Sequence, residues 1–337
     1  MTRRFVVAIV ALALVPLVAP APRAQQTEVG GHTVYVSVTG RNDVPVTGLV
    51  AENFRVREDN QEREVRLVAA APPPSHLAVL IDDGRAVDAL SMVQDFRKML
   101  PGVFREAMKV MPGTELAYWT LGEPPTRRVD FSTNITSFDT TLAVYAGRPG
   151  PGASYLEAVY LSAGELRARS APRPVIVAFL VEDNLEVAER KGEVVEAQVR
   201  ASGAALWSIV LQPQMRSQMG PVAGEGGGGG FGGRGGTDLS LGDLTSMMNE
   251  SASAEDVNKL RDRGYVMGDV SRRSGGVERR VGSKQDVGPM FSRVLTMISQ
   301  RYAVTYARPA GAPVPKRLDV RLQGKSGTVA APQWALK

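Results

Sequence analysis

Two pairs of adjacent carboxylates, one arginine and two histidines are the places where this chain could do chemistry. Asp82-Asp83 is followed by Gly84-Arg85-Ala86, and Glu182-Asp183 by Asn184. Positioned carboxylates can exchange protons with a substrate, although such a pair is more often a solvated loop. Arg85 is a permanent cation beside Asp82 and Asp83 and competes with a divalent metal for the same oxygens. Without a metal, Asp82 has a structural use: it can cap the helix that follows or pair with Arg85. Nucleophilic catalysis is poorly provided for. The absence of cysteine removes thiolate nucleophiles, thiolate zinc sites and disulfides together. His32 precedes the first strand and His76 adjoins a proline run, and neither has nucleophile-elbow or metal-ligand spacing. The glycine run 226–230 lacks the Gly-Lys-Ser/Thr ending of a phosphate cradle, and no strand leads directly into it.

The elements around these residues fall into two patterns. From Thr33 to Thr39, Val34, Val36 and Val38 alternate with polar residues, which predicts a half-buried strand. Further strands around Phe54 and Val56 and around Val65 and Leu67 complete a small β-sheet domain over 28–70. The prolines at 72–74 make 71–76 a stiff linker. Beyond it, continuous apolar strands (Leu77 to Ile81, Val175 to Val181, Leu206 to Leu211) alternate with amphipathic helices. That order predicts a doubly wound, mainly parallel α/β sheet of Rossmann type over 77–309. Glu115 to Leu121 and Arg127 to Phe131 are further strands, the second at an edge. Leu90, Val93, Phe96 and Leu100 form one helical stripe, which Pro101 should kink or end. A glycine-rich excursion at 212–253 interrupts the order. A helix from about Ala254 to Arg272 resumes it, and another carries Val287, Met290, Phe291, Val294, Leu295 and Ile298 as a core-facing stripe. Strands at Tyr302 to Tyr306 and Leu318 to Leu322 close the chain, with 310–337 as a C-terminal strand and tail.

The first residues read as an address. Arg3-Arg4, an apolar run from Phe5 to Val18 and a small-residue stretch ending at Ala24 make a signal peptide over 1–24. The run is shorter than the roughly 20 apolar residues of a spanning helix, and no later stretch is long enough. Export to the periplasm or beyond is therefore expected, with no transmembrane segment in the mature chain. Loss of Arg3, Arg4 and Arg23 lowers the formal charge from +5 by three, to +2. A charge so near neutral demands no nucleic-acid partner, and the cluster Arg272-Arg273 with Arg279-Arg280 reads as solvated surface.

Several segments occur in the order seen in one known group. They are Val44-Pro45-Val46-Thr47-Gly48-Leu49, Glu52-Asn53-Phe54, Val56-Arg57-Glu58-Asp59, Leu77 to Asp82, Ser274-Gly275-Gly276, and Gln300-Arg301-Tyr302 with Tyr306. Together they resemble the von Willebrand factor A-related proteins of the acidobacterial and Gram-negative type, from about Val29 to the C-terminus. The resemblance implies a metal-ion-dependent adhesion site: Asp-x-Ser-x-Ser after the first strand, a threonine from a second loop, and an aspartate after the fourth strand. Such hard oxygen donors suit Mg²⁺. Here Asp82 holds the leading position, but Gly84 and Ala86 stand in place of the two serines. Ser154 holds the threonine position. Leu180 falls at the aspartate, unless a slip of the loop offers Glu182 or Asp183.

The expectation is thus a degenerate site without a cofactor, the alternative being Mg²⁺ or Ca²⁺ held by Asp82, Ser154 and Glu182. Asp82, Asp83, Arg85, Ser154, Glu182 and Asp183 make up the expected binding face. The function expected is non-enzymatic binding of a protein partner in the envelope or outside the cell. A purely structural envelope component and a cryptic hydrolase are the competing readings.

Overall fold

The computed structural model describes residues 29–148, 150, 152–182, 185–212 and 253–334. The expected signal peptide, Asp183 and nearly all of the glycine-rich excursion lie outside these residues. Among the described residues, no helix is long and apolar enough to cross a membrane.

The strands are β1 (Val29–Thr39), β2 (Phe54–Glu58), β3 (Gln61–Arg63), β4 (Val65–Ala70), β5 (His76–Ile81), β6 (Glu115–Thr120), β7 (Thr126–Ser132), β8 (Gly152–Ala153), β9 (Val175–Val181), β10 (Leu185–Glu186), β11 (Ala205–Leu211), β12 (Glu278–Val281), β13 (Tyr302–Pro309), β14 (Leu318–Leu322) and β15 (Thr328–Ala330). The helices are α1 (Arg85–Ala89), α2 (Val93–Val110), α3 (Ile135–Ala143), α4 (Tyr155–Ala168), α5 (Gly192–Ser202), α6 (Ala254–Tyr265) and α7 (Val287–Ser299). After α6 the chain continues through a π-helical turn, Val266–Val270, and a short helix, Ser271–Arg273.

The main sheet has the order β12-β11-β9-β5-β6-β7, parallel throughout except for the antiparallel edge strand β7. Its central strands are buried on both faces, which is why they read as unbroken apolar runs. Side chains still alternate between the faces. Leu77, Val79 and Ile81 of β5 and Val175, Val177 and Phe179 of β9 pack with Phe96 of α2 and Phe291 of α7. Ala78, Leu80, Ile176, Ala178 and Leu180 pack on the other side with Leu156 of α4 and Val195 of α5. Each large side chain so buried contributes about 1.5–3 kcal/mol, so the two helical layers hold the sheet rigid beneath its loops.

Two expectations need correction. Helix α2 does not end at Pro101 but runs through it to Val110. The ring forfeits one backbone hydrogen bond, while Phe96, Leu100, Val103, Phe104 and Ala107 keep both halves of the helix buried. The second concerns the β-module, which is not confined to 28–70. Strand β13, grouped by sequence with the α/β unit, pairs with both β1 and β4 and lies between them. Strand β14 pairs with β2. The shared core joins Val34, Val36, Val38, Phe54 and Val56 to Val304, Tyr306 and Leu318. The two tyrosine hydroxyls tie the halves together, Tyr302 donating to the Val46 carbonyl (2.8 Å) and Tyr306 to Glu58 Oε1 (2.8 Å).

Candidate functional site at the carboxyl edge of the sheet

Numbered within the main sheet alone, the strand order is 3-2-1-4-5-6, so the connections reverse direction between β5 and β9. In open α/β sheets the crevice beyond the carboxyl ends of the strands at such a reversal is where ligands bind. Asp82 leaves β5 at that point and spans it. Its Oδ1 accepts the Gly84 N–H (2.8 Å), just ahead of α1, which it does not cap, and its Oδ2 accepts the Val181 N–H of β9 (2.9 Å). Its own carbonyl accepts the buried Tyr145 hydroxyl (2.6 Å). Asp82 is fully buried.

Asp83 is locked as tightly, by a residue that sequence reading missed. Its Oδ1 accepts the Gly122 N–H, and its Oδ2 accepts Nε of Arg148 at 2.7 Å. The same guanidinium donates to the Pro124 carbonyl (3.1 Å) and to Thr120 Oγ1. Gly122 admits this approach because a Cβ there would lie 3.0 Å from Asp83 Oδ1 and 3.1 Å from Arg148 Cδ. Arg85, the expected partner of these carboxylates, instead stands exposed at the start of α1. Chain direction decides between the two: Arg85 enters a helix that leads away, whereas Arg148 returns on a loop whose N–H donates to the Asp83 carbonyl (2.6 Å).

The remaining loops are laced to this pair. Ser154 is buried at the N-cap of α4, with its N–H on the Leu121 carbonyl (2.7 Å). Gly152 pairs with Leu185 in the two-strand ladder β8–β10. A Cβ on Gly152 would sit 2.1 Å from the Leu185 carbonyl oxygen, so only glycine allows the two loops this close. Leu180 is buried in the core and presents no oxygen ligand. Glu182 turns outward to Arg280 of β12, its Oε1 accepting Nη1 at 2.8 Å.

Two further residues belong to the site. Glu186, 3% exposed, accepts the Ala188 N–H (3.1 Å), and the N–H groups of Leu156 and Tyr155 at the start of α4 favour its charged form. Burial outweighs them and pushes its carboxyl up to about 8. Arg263 of α6 is buried, and its Nη2 donates to the Glu182 carbonyl at 2.9 Å. Burial lowers its pKa, while Glu186, Asp82 and Glu182 act, in that order, to keep it charged. A sequence signal for Arg263 exists: Arg263, Val266, Met267 and Val270 share one buried helical stripe, and a charge on such a stripe calls for partners.

At the opposite, amino edge of the sheet, Ser75, His76 and Glu115 form a line that resembles a catalytic relay. His76 Nδ1 lies 2.9 Å from Ser75 Oγ, and Nε2 lies 3.6 Å from Glu115 Oε2. The Ser75 hydroxyl donates to the Pro172 carbonyl, so its proton is directed away from the imidazole that would have to take it. Burial lowers the His76 pKa, with Glu115 working the other way. The fold thus favours the neutral ring. That contribution is full above the ordinary value of 6.5 and is lost as pH falls below it. His76→Gln should therefore shrink the drop in Tm between pH 7 and pH 5, and an unchanged drop in thermal melts would count against this source.

No family model matches the chain, and no curated protein matches it. Among solved structures it is similar to proximal thread matrix protein 1 from the mussel byssus, crystallised with a zinc-occupied MIDAS motif, at 12% identity and a TM-score of 0.44. That match covers 72% of this chain and 49% of the mussel chain, so the chain spans about half the mussel protein's length. It is also similar to the conserved hypothetical protein BatB from Bacteroides thetaiotaomicron, at 10% identity and a TM-score of 0.42, covering 66% of this chain and 98% of that one. At these identities and scores the likenesses carry no weight of their own. What decides the fold is the sheet: order 3-2-1-4-5-6, an antiparallel edge at β7, and an aspartate leaving the first strand at the reversal. The fold is the doubly wound, mainly parallel α/β sheet of Rossmann type that the sequence predicts. At this edge of the sheet the donor set fits a divalent cation poorly. Gly84 and Ala86 offer no hydroxyl, all four oxygens of Asp82 and Asp83 already accept hydrogen bonds, and Glu182 is drawn away by Arg280.

Proposed function

We propose that this chain is an exported, non-enzymatic protein–protein interaction module, whose A-type domain engages a protein partner through the loops at the carboxyl edge without a bridging cation. One observation carries the reading. Asp83 is 2% exposed and its carboxylate is held by Arg148 at 2.7 Å, so a fixed guanidinium takes the charge-balancing role that a metal has in an adhesion site. Around this neutralised centre the loops expose Arg85, Val144 (65%) and Leu185 (45%). A mixed apolar and cationic rim of this kind is suited to a protein surface. The export part rests on the leader sequence.

Two measurements test the reading. Adding 1 mM Mg²⁺ or Ca²⁺ should leave the Tm unchanged, whereas a site filled to a hundredfold above its Kd would add about 2.7 kcal/mol; a clear rise in Tm would overturn metal independence. In pull-downs from an envelope fraction, Leu185→Asp and Arg85→Ala should each weaken retention of the same partner at least fivefold. Equal retention by both variants would favour a structural component over a binding module.

A further inference from the structure

A second site faces the other way. At the amino edge of the main sheet, where Pro174 precedes β9 and Ala205 opens β11, a cavity of ≈ 970 Å³ separates the α/β unit from the β-module. Its size lies in the range of ligand-binding clefts, and its lining is unusually cationic. Arg301 is 8% exposed and lines the cavity. Its Nη2 donates to the Tyr35 carbonyl (3.3 Å), but its Nε is buried without a hydrogen-bond partner, as is Nε of the neighbouring Arg173. Both guanidinium groups lie over the Tyr35 ring, at 5.8 and 5.6 Å from its centroid. Arg167, Arg200 and Lys316 stand exposed around the rim.

Charge balance is what makes this cavity informative. Arg273 and Arg308 also line it, but each has a carboxylate of its own, Glu196 at 2.7 Å and Glu58 at 3.7 Å. Among the described residues no carboxylate lies within ion-pair distance of Arg301, Arg173, Arg167, Arg200 or Lys316, and only Glu193 on the lining remains to oppose them. Buried donors without acceptors are costly to maintain in a fold. Arg301 and Arg173 both line an open cavity, so an oxyanion that enters it meets their positive charge. Burial lowers the Arg301 pKa only to about 10, so the group stays charged at neutral pH.

The shape of the cleft selects among anions. Strand β1 is paired with β13 along Val29 to Val36, while on its other flank β15 covers only Ser37 to Thr39. The stretch His32 to Tyr35 lines the cavity, and among the described residues no strand pairs with its free flank. Main-chain groups along an open strand flank are satisfied by another main chain. The cations, moreover, are spread around the cleft and not focused on one point. We propose that this cleft binds an acidic, extended peptide segment of a protein partner, which lies along the free flank of β1 and places carboxylates on Arg301, Arg173 and the basic rim. Guanidinium groups pair with carboxylates through two parallel hydrogen bonds, and Tyr35 supports the arginines from behind.

The experiment is fluorescence anisotropy on the purified protein with two labelled octapeptides, one alternating glutamate with threonine and the other alternating glutamine with threonine. The acidic peptide should bind at least tenfold more tightly than its neutral counterpart. Arg173→Ser should weaken it at least fivefold, and the surface double variant Arg167→Glu/Arg200→Glu, which leaves the core untouched, at least tenfold. Leu185→Asp, at the opposite edge, should leave it unchanged, which separates this site from the carboxyl-edge reading. Equal binding of the two peptides, or full binding by the rim double variant, would overturn the proposal. Tighter binding of a single-stranded oligonucleotide than of the acidic peptide would also overturn it, by assigning the cleft to nucleic acid.

Discussion

Replacing Arg263 by methionine should cost the protein about 3–5 kcal/mol, the range found when one member of a buried ionic group is removed. Arg263 is 4% exposed and donates to the Glu182 carbonyl, with Glu186, Asp82 and Glu182 contributing its charge partners. Methionine of similar length fills the volume but leaves that carbonyl and the buried Glu186 carboxyl without their cation. The loss should depend on pH. The Glu186 pKa is raised by burial to about 8, so its contribution to stability is full below the ordinary value of 4.5 and is lost as pH rises through 8. Arg263 opposes that rise, and its removal lifts the Glu186 pKa further. The destabilisation measured by urea unfolding should therefore be greater at pH 8 than at pH 5. Adding Glu186→Gln to Arg263→Met should recover part of the loss at pH 8, because two contacting sites do not add independently. A pH-independent loss, or strict additivity, would show that Arg263 acts only through packing.

Arg148→Met should be the second large effect, at about 3 kcal/mol. One substitution removes the donors to Asp83 Oδ2, to the Pro124 carbonyl and to Thr120 Oγ1. Asp83, 2% exposed, is left as a buried carboxylate with only the Gly122 N–H on its other oxygen. Asp83→Asn should cost less, since its amide oxygen still accepts from Gly122. Arg148→Lys should recover less than half of the loss, because a compact ammonium cannot reach three acceptors as a planar fork does. Shifts in the urea midpoint at constant slope report these differences. A loss under about 1 kcal/mol for Arg148→Met would place the contact with ordinary screened surface pairs.

Both variants bear on how much of the site was legible beforehand. Asp82 was identifiable because it ends an apolar run at a strand-to-helix junction, and Ser154 only because the family resemblance puts it at the threonine position. Arg85 was the wrong guanidinium. Nearness in sequence puts it beside Asp83, but the first turn of α1 carries it into solvent, and an arginine 65 residues further on takes the contact. Arg148 has no periodic setting to betray it, since it lies in a Gly-Arg-Pro-Gly loop. Arg263 did have such a setting, on the stripe with Val266, Met267 and Val270. Glu186 has none, being buried by the approach of β10 to β8 across Gly152.

The β-module shows the same division. Alternating valines at 34, 36 and 38 predicted β1, and strands were expected at Tyr302 to Tyr306 and Leu318 to Leu322, where β13 and β14 lie. Which strands pair is a different question, because any amphipathic strand offers the same backbone donors and acceptors to every other. Only the assembled core, where β13 enters between β1 and β4, settled it. By itself, the sequence determined the layered α/β class, the alternation of strands and helices and the want of a side-chain hydroxyl at Gly84 and Ala86, since these depend on local composition and period. Tertiary structure alone decided that Arg148 and Arg263 stand at the carboxyl edge, and that uncompensated arginines gather against β1. Charges are placed by loops and packing, and Coulomb attraction over a few ångströms is blind to separation along the chain.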